Sequence, residues 1–174
     1  MTRITVYARC ITVVVGIMVL CAFSGPNERA RVVIDHNAAT DEIEEVYNES
    51  GSDIYVAVKA TNVTDLAGFC ITVAYDTTQV RFKSATLTRE GGKEPSFLES
   101  QGGKKGPVMV IPKDGTVEVV AGIKTTDTHE APDGDGTLAY LKFVRLINND
   151  IKLTIKKVEL SNSDLIIDNL SVEE

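Results

Sequence analysis

Between residues 54 and 82 the chain alternates apolar and polar side chains with a period of two. Ile54, Val56, Val58 and Ala60 form one apolar series, and Phe69, Ile71, Val73 and Tyr75 form the next. Successive side chains of a strand point to opposite faces, so each series predicts a strand with one face on a core and the other in water. Tyr75-Asp76 closes the second run, and Val80-Arg81-Phe82 opens a third, shorter one.

The same reading extends in both directions. Arg31-Val32-Val33-Ile34 predicts an earlier strand. Residues 41–51 are acidic and end in turn formers, Asn48, Ser50 and Gly51, while 43–47 reads as a short strand or a loop edge. Residues 87–106 are rich in Gly, Lys, Glu and Ser, with only Phe97-Leu98 to anchor them, which predicts a long surface loop with a helical turn near Ser96 to Ser100. Residues 108–111 and 116–123 predict a hairpin across Pro112-Lys113-Asp114-Gly115, because Pro presets φ and Gly accepts positive φ. In its second strand Val117, Val119, Ala121 and Ile123 alternate with Thr116, Glu118, Val120 and Gly122.

An acidic loop, 125–136, leads to an inward set of Leu138, Ala139, Leu141 and Phe143, with Tyr140 and Lys142 outward. Residues 151–155 and a terminal segment, 158–172, complete the pattern. Turn signals recur every ten residues or so, and nothing after residue 24 has a helical period. The prediction is all-β: an antiparallel β-sandwich of jelly-roll type with roughly nine strands, after an N-terminal signal peptide.

The signal peptide is read from Arg3 and Arg9, the apolar run 11–23, and Ala22-Phe23-Ser24 as a small-x-small cleavage site before Gly25. The run is shorter than the ~20 residues a membrane-spanning helix needs. Cys21 keeps a lipoprotein reading open, although Leu20 stands where a small residue would precede a lipidated cysteine. The expected organisation is a signal peptide, 1–24, and one domain, 25–174. The protein is then secreted, extracellular or in the cell envelope, and meets a membrane only through an uncleaved or lipidated N-terminus.

Charge and cysteine content narrow the functions. Cleavage removes two of 18 basic residues and none of 25 acidic ones, which changes the net charge from −7 to −9. That balance argues against nucleic acid, whose phosphates call for a basic face. Cys10 and Cys21 leave with the signal, so Cys70 stands alone and no disulfide framework forms. As a lone half-buried thiol it reads first as a small apolar residue, with a reactive or partner-contacting role as the alternative.

Candidate chemistry is sparse. Asp133-Gly134-Asp135-Gly136, with Asp127, His129 and Glu130 upstream, offers hard oxygen ligands. The closing Glu of a twelve-residue calcium loop would fall at position 144, which is Val144, so a solvated acidic turn is favoured over a calcium site. His36 and His129 lack the spaced partners of a zinc site or a nucleophilic triad. No pair among the acids is singled out for glycoside cleavage. No cofactor, no metal and no catalytic residue is expected. The chain has no Trp, which argues against a flat aromatic strip for crystalline polysaccharide; Tyr55 and Tyr140 point outward and leave a site for a single glycan chain open. Asn62-Val63-Thr64 fits a glycosylation sequon and reads as a turn.

Three segments carry a family resemblance: LAGFCITVAYD (66–76), GDGTLAYLKF (134–143) and VELSNSDLIIDN (158–169). In order and spacing the chain resembles a cohesin domain from about residue 31 to 172. The resemblance implies a non-catalytic β-sandwich that attaches to a dockerin-like protein domain in polysaccharide-degrading or cell-surface assemblies. A carbohydrate-binding module of the same superfamily, with a polysaccharide as ligand, and a stand-alone envelope or adhesion domain are the alternatives. The resemblance also implies a partner face on one sheet, with Gly68 and Cys70 at the family's recognition positions. Alternation adds Thr72, Glu118, Val120, Tyr140 and Lys142 as the outward residues expected on that face.

Overall fold

Nine strands account for most of the residues described by the computed structural model, which are 26–27, 29–36, 52–89, 95–124, 131–147 and 151–171. In chain order they are β1 (Arg31–Asp35), β2 (Asp53–Val63), β3 (Gly68–Tyr75), β4 (Val80–Thr86), β5 (Lys104–Lys113), β6 (Thr116–Lys124), β7 (Gly134–Arg145), β8 (Leu153–Ser161) and β9 (Ile167–Asn169). They form two antiparallel sheets. One has the order β1-β2-β7-β4, the other β5-β6-β3-β8-β9.

The alternation read from the sequence is the alternation of burial along most of the strands, with Ala57 of β2 a buried exception on the outward side. Ile54, Val56, Val58 and Ala60 of β2 face Phe69, Ile71 and Val73 of β3 across the sandwich, joined by Val117 and Val119 of β6 and by Leu141 and Phe143 of β7. Burying an aliphatic or aromatic side chain of this size contributes about 1.5–3 kcal/mol. Phe143 is fully buried and meets Tyr75 and Phe82 edge-on, with ring centroids 5.3 and 5.7 Å away. A bulge in the β2–β7 ladder beside Val58 explains why the neighbours Leu138 and Ala139 are both buried.

Local chemistry fixes the connections. The helical turn expected near Ser96 is a 3-10 turn, Phe97–Glu99, whose Glu99 carboxylate accepts hydrogen bonds from the Ser96 N–H and hydroxyl. These bonds hold the Glu99 carboxyl below its usual pKa. The hairpin turn is shorter than expected, since Pro112 and Lys113 belong to β5 and only Asp114-Gly115 separates the strands. Among the described residues β5 is an edge strand, a position where Pro is tolerated because its missing N–H need not serve a second ladder. The stretches 151–155 and 158–172 divide differently from expectation: β8 runs through both, and β9 follows a turn in which Asn162 Oδ1 accepts from the Ile166 N–H. The expected signal peptide, 1–24, and the segment 43–47 lie outside the described residues. Among the described residues, no helix is long and apolar enough to cross a membrane.

Candidate functional site

The outer face of the five-stranded sheet is built of rows of directly opposed residues. One row runs Met109, Val120, Cys70, Glu159, Asn169 from β5 to β9. The next runs Ile111, Glu118, Thr72, Lys157, and on the other side lie Gly122, Gly68, Ser161 and Ile167. Gly68, Cys70, Thr72, Glu118 and Val120 therefore share one surface. Thr72, Glu118 and Val120 are half-buried, in keeping with side chains packed beside their cross-strand neighbours. Met109 at 53% exposure and Ile167 at 59% stand out of the face at its two ends.

Its centre is smooth for a steric reason. A Cβ on Gly68 would sit 2.9 Å from Ser161 Oγ and 3.1 Å from the Ala121 carbonyl oxygen. The close approach of β6 and β8 to β3 favours glycine there, and the position carries no recognition side chain. Beside it, Cys70 is half-buried, and its thiol is pushed up in pKa by burial, then by the Glu118 carboxylate, with Glu159 adding to the effect. Lys157 opposes the shift but is paired with Glu159 at 2.9 Å. A thiol held protonated in this way is a poor nucleophile.

Tyr140 and Lys142 are not on this surface. Both lie on β7, in the four-stranded sheet, where Tyr140 opposes Ala57 and Thr86 and Lys142 opposes Tyr55. Alternation distinguishes inward from outward along a strand but carries no information about which sheet the strand joins. Lys142 Nζ forms an ion pair with Asp53 at 3.0 Å and lies 4.7 Å from the centroid of the Tyr55 ring. Met109, Ile111, Lys157 and Glu159 take their place on the five-stranded face. Residues 108–111 are apolar throughout, so no alternation marks which of them face outward.

The acidic loop before β7 has a structural use. Asp133 Oδ1 accepts from the Asp65 N–H at 2.7 Å, and Asp135 Oδ1 from the Asn62 N–H at 2.8 Å. Asn62 and Asp65 both have positive φ, 55° and 52°, so these bonds anchor the β2–β3 turn in the left-handed region that Asn and Asp tolerate. The upstream calcium candidates Asp127, His129 and Glu130 lie outside the described residues. Among the described residues no cluster of three or more His, Cys, Asp or Glu side chains could hold a metal ion.

Comparison with known proteins gives a consistent result. Residues 40–168 match the cohesin domain as a sequence family. Among solved structures, the sixth cohesin from scaffoldin B of Acetivibrio cellulolyticus, in complex with a mutant Cel5 dockerin, aligns over 83% of this chain and 99% of its own at 19% identity and a TM-score of 0.57. The cohesin module from a Clostridium perfringens family 33 glycoside hydrolase aligns over 83% and 91%, at 13% identity and a TM-score of 0.59. A type II cohesin–X-dockerin complex from A. cellulolyticus aligns over 82% and 95%, at 16% identity and a TM-score of 0.58. At these identities the structural likeness speaks for the fold. No curated protein sequence matches the chain.

Proposed function

Since this chain belongs to the cohesin family and is a non-catalytic binding module, we propose that it attaches a dockerin-like domain to the outer face of its five-stranded sheet. The observation that carries this reading is the contiguous row Met109, Val120, Cys70 and Glu159 beside Ile111, Glu118, Thr72 and Lys157. It combines exposed apolar groups with charges of both signs, the composition of a surface that buries a centre and orients a partner by its rim. Two of the solved relatives are cohesins crystallised with dockerins, which supports the partner class.

The basic start and cleavage site in residues 1–24 support export, so the domain works outside the cell or in its envelope. Mass spectrometry of the exported protein tests this: a terminus at Gly25 is expected, and an intact Met1 or a lipid on Cys21 overturns the cleaved form.

Calorimetric titration with a panel of dockerin domains and soluble glycans tests the partner. Dockerin binding that Val120→Asp abolishes and Tyr140→Ala leaves intact is expected. The carbohydrate reading draws on Tyr55 and Tyr140, which share the outer side of the four-stranded sheet. Glycan binding lost on Tyr140→Ala, with no dockerin bound, would establish that reading instead.

A further inference from the structure

Among the described residues the two sheets come to an open border on one side of the sandwich. Among the described residues, β1 pairs only with β2, and β8 meets β9 only over Glu159, Leu160 and Ser161. Residues 153–157 therefore have β3 as their one strand neighbour among the described residues. Between the borders lies a cleft of about 580 Å³. Val32 and Ile34 of β1 and Leu153 and Ile155 of β8 supply its apolar lining, and Arg31, Lys152 and Lys156 line it with positive charge.

The sign of that charge is a departure from the rest of the molecule. The chain has 25 acidic residues to 18 basic ones, yet among the described residues no Asp or Glu lines the cleft. Lys156 owes its place to a local irregularity. The β3–β8 register shifts between Thr72 and Val73, so that Lys156 is an extra residue between Ile155 and Lys157 with no partner on β3. All three cations, Arg31, Lys152 and Lys156, are exposed.

We propose that this cleft accepts an extended acidic segment of a partner protein, added as a strand at the β1–β8 border. An open strand border presents backbone donors and acceptors that an incoming strand satisfies, and pockets for alternate side chains supply selectivity. Apolar side chains of the incoming segment pack on Val32, Ile34, Leu153 and Ile155, while its carboxylates meet Arg31, Lys152 and Lys156. Lysines at a strand border also discourage edge-to-edge association. Against an acidic strand the same lysines attract, which is what distinguishes the two roles experimentally. This site lies at the border between the sheets and is separate from the outer face proposed for the dockerin-like partner.

The test is a titration of the isotope-labelled protein with a blocked peptide of about eight residues, a typical strand length, alternating Val and Glu. Amide shift changes confined to β1 and residues 153–158 are expected, weakened about tenfold or more by Lys152→Glu/Lys156→Glu and by added salt. A Val/Lys peptide should not bind. The double variant changes exposed side chains, and its unperturbed amide spectrum elsewhere checks that it folds. Four results overturn the proposal: no shifts, undiminished binding by the double variant, equal binding of a polyglutamate lacking apolar residues, or shifts that grow with protein concentration alone. The last would assign the border to a second copy of the chain.

Discussion

The Asp65 carboxylate accepts hydrogen bonds from both the backbone N–H and the hydroxyl of Ser163, at 3.1 and 2.5 Å, and so joins the β2–β3 turn to the β8–β9 turn. Its own N–H is held by Asp133, so one residue with a left-handed backbone connects three segments distant in sequence. Hydrogen bonds to charged groups contribute about 1.5–3 kcal/mol when well shielded, and solvent reduces that here. Asp65→Asn, which tolerates the same backbone, is expected to cost about 1 kcal/mol in urea unfolding, and Asp65→Ala more. Equal stability of all three proteins would show that the link contributes nothing.

Phe143 sits between Tyr75 and Phe82 with no exposed surface. Phe143→Ala removes both edge-to-face contacts and leaves a cavity, at an expected cost of about 3–5 kcal/mol. Thermal unfolding measures this directly, and a loss below about 1 kcal/mol would mean the site collapses around the smaller side chain.

Gly136 lies under the ring of Phe97, close enough that a Cβ would overlap the ring carbons Cγ and Cδ2. Gly136→Ala should therefore displace the 3-10 turn and destabilise the protein by about 1–3 kcal/mol. The double change Gly136→Ala/Phe97→Ala, which removes the overlapped ring atoms, is expected to recover part of that loss. No recovery would locate the strain in the backbone of β7 instead.

Cys70 offers a pH experiment. Burial and the carboxylates of Glu118 and Glu159 raise its pKa, so the folded state binds the thiol proton more tightly than the unfolded one. The associated stability is present below the ordinary thiol pKa and is lost as pH rises through the raised value. Alkylation of the folded protein should be slower at pH 8 than that of an exposed thiol, with its midpoint displaced upward, and Glu118→Gln should bring the midpoint down. A midpoint below that of a free thiol would contradict the assigned electrostatics.

Most of the strand pattern is legible in the sequence because burial on one face of a strand imposes a period of two, which survives wherever one face meets water. Phe69, Ile71 and Val73 follow it, as do Val117 and Val119. What the pattern leaves out is pairing. Nothing local to Tyr140 or Lys142 says that β7 pairs with β2 and β4 and not with β3, so the expected face mixed residues from two sheets. Met109 and Ile111 were hidden by apolar neighbours on both sides. The uses of Asp133 and Asp135 depend on N–H groups 68 and 73 residues away, and Gly68 is explained only by Ser161 and Ala121 across the ladder.

The division of each strand into an inward and an outward set has an evolutionary consequence. Substitutions at Met109, Val120, Thr72 or Glu159 alter the outer surface of the five-stranded sheet without changing the volume of a single interior side chain. Surface chemistry and foldability are thus encoded in separate letters of the same strands, and with them partner choice on the attachment proposed above. A lineage carrying this scaffold can rewrite that surface step by step, each intermediate remaining folded, so relatives with very different surfaces can share one architecture.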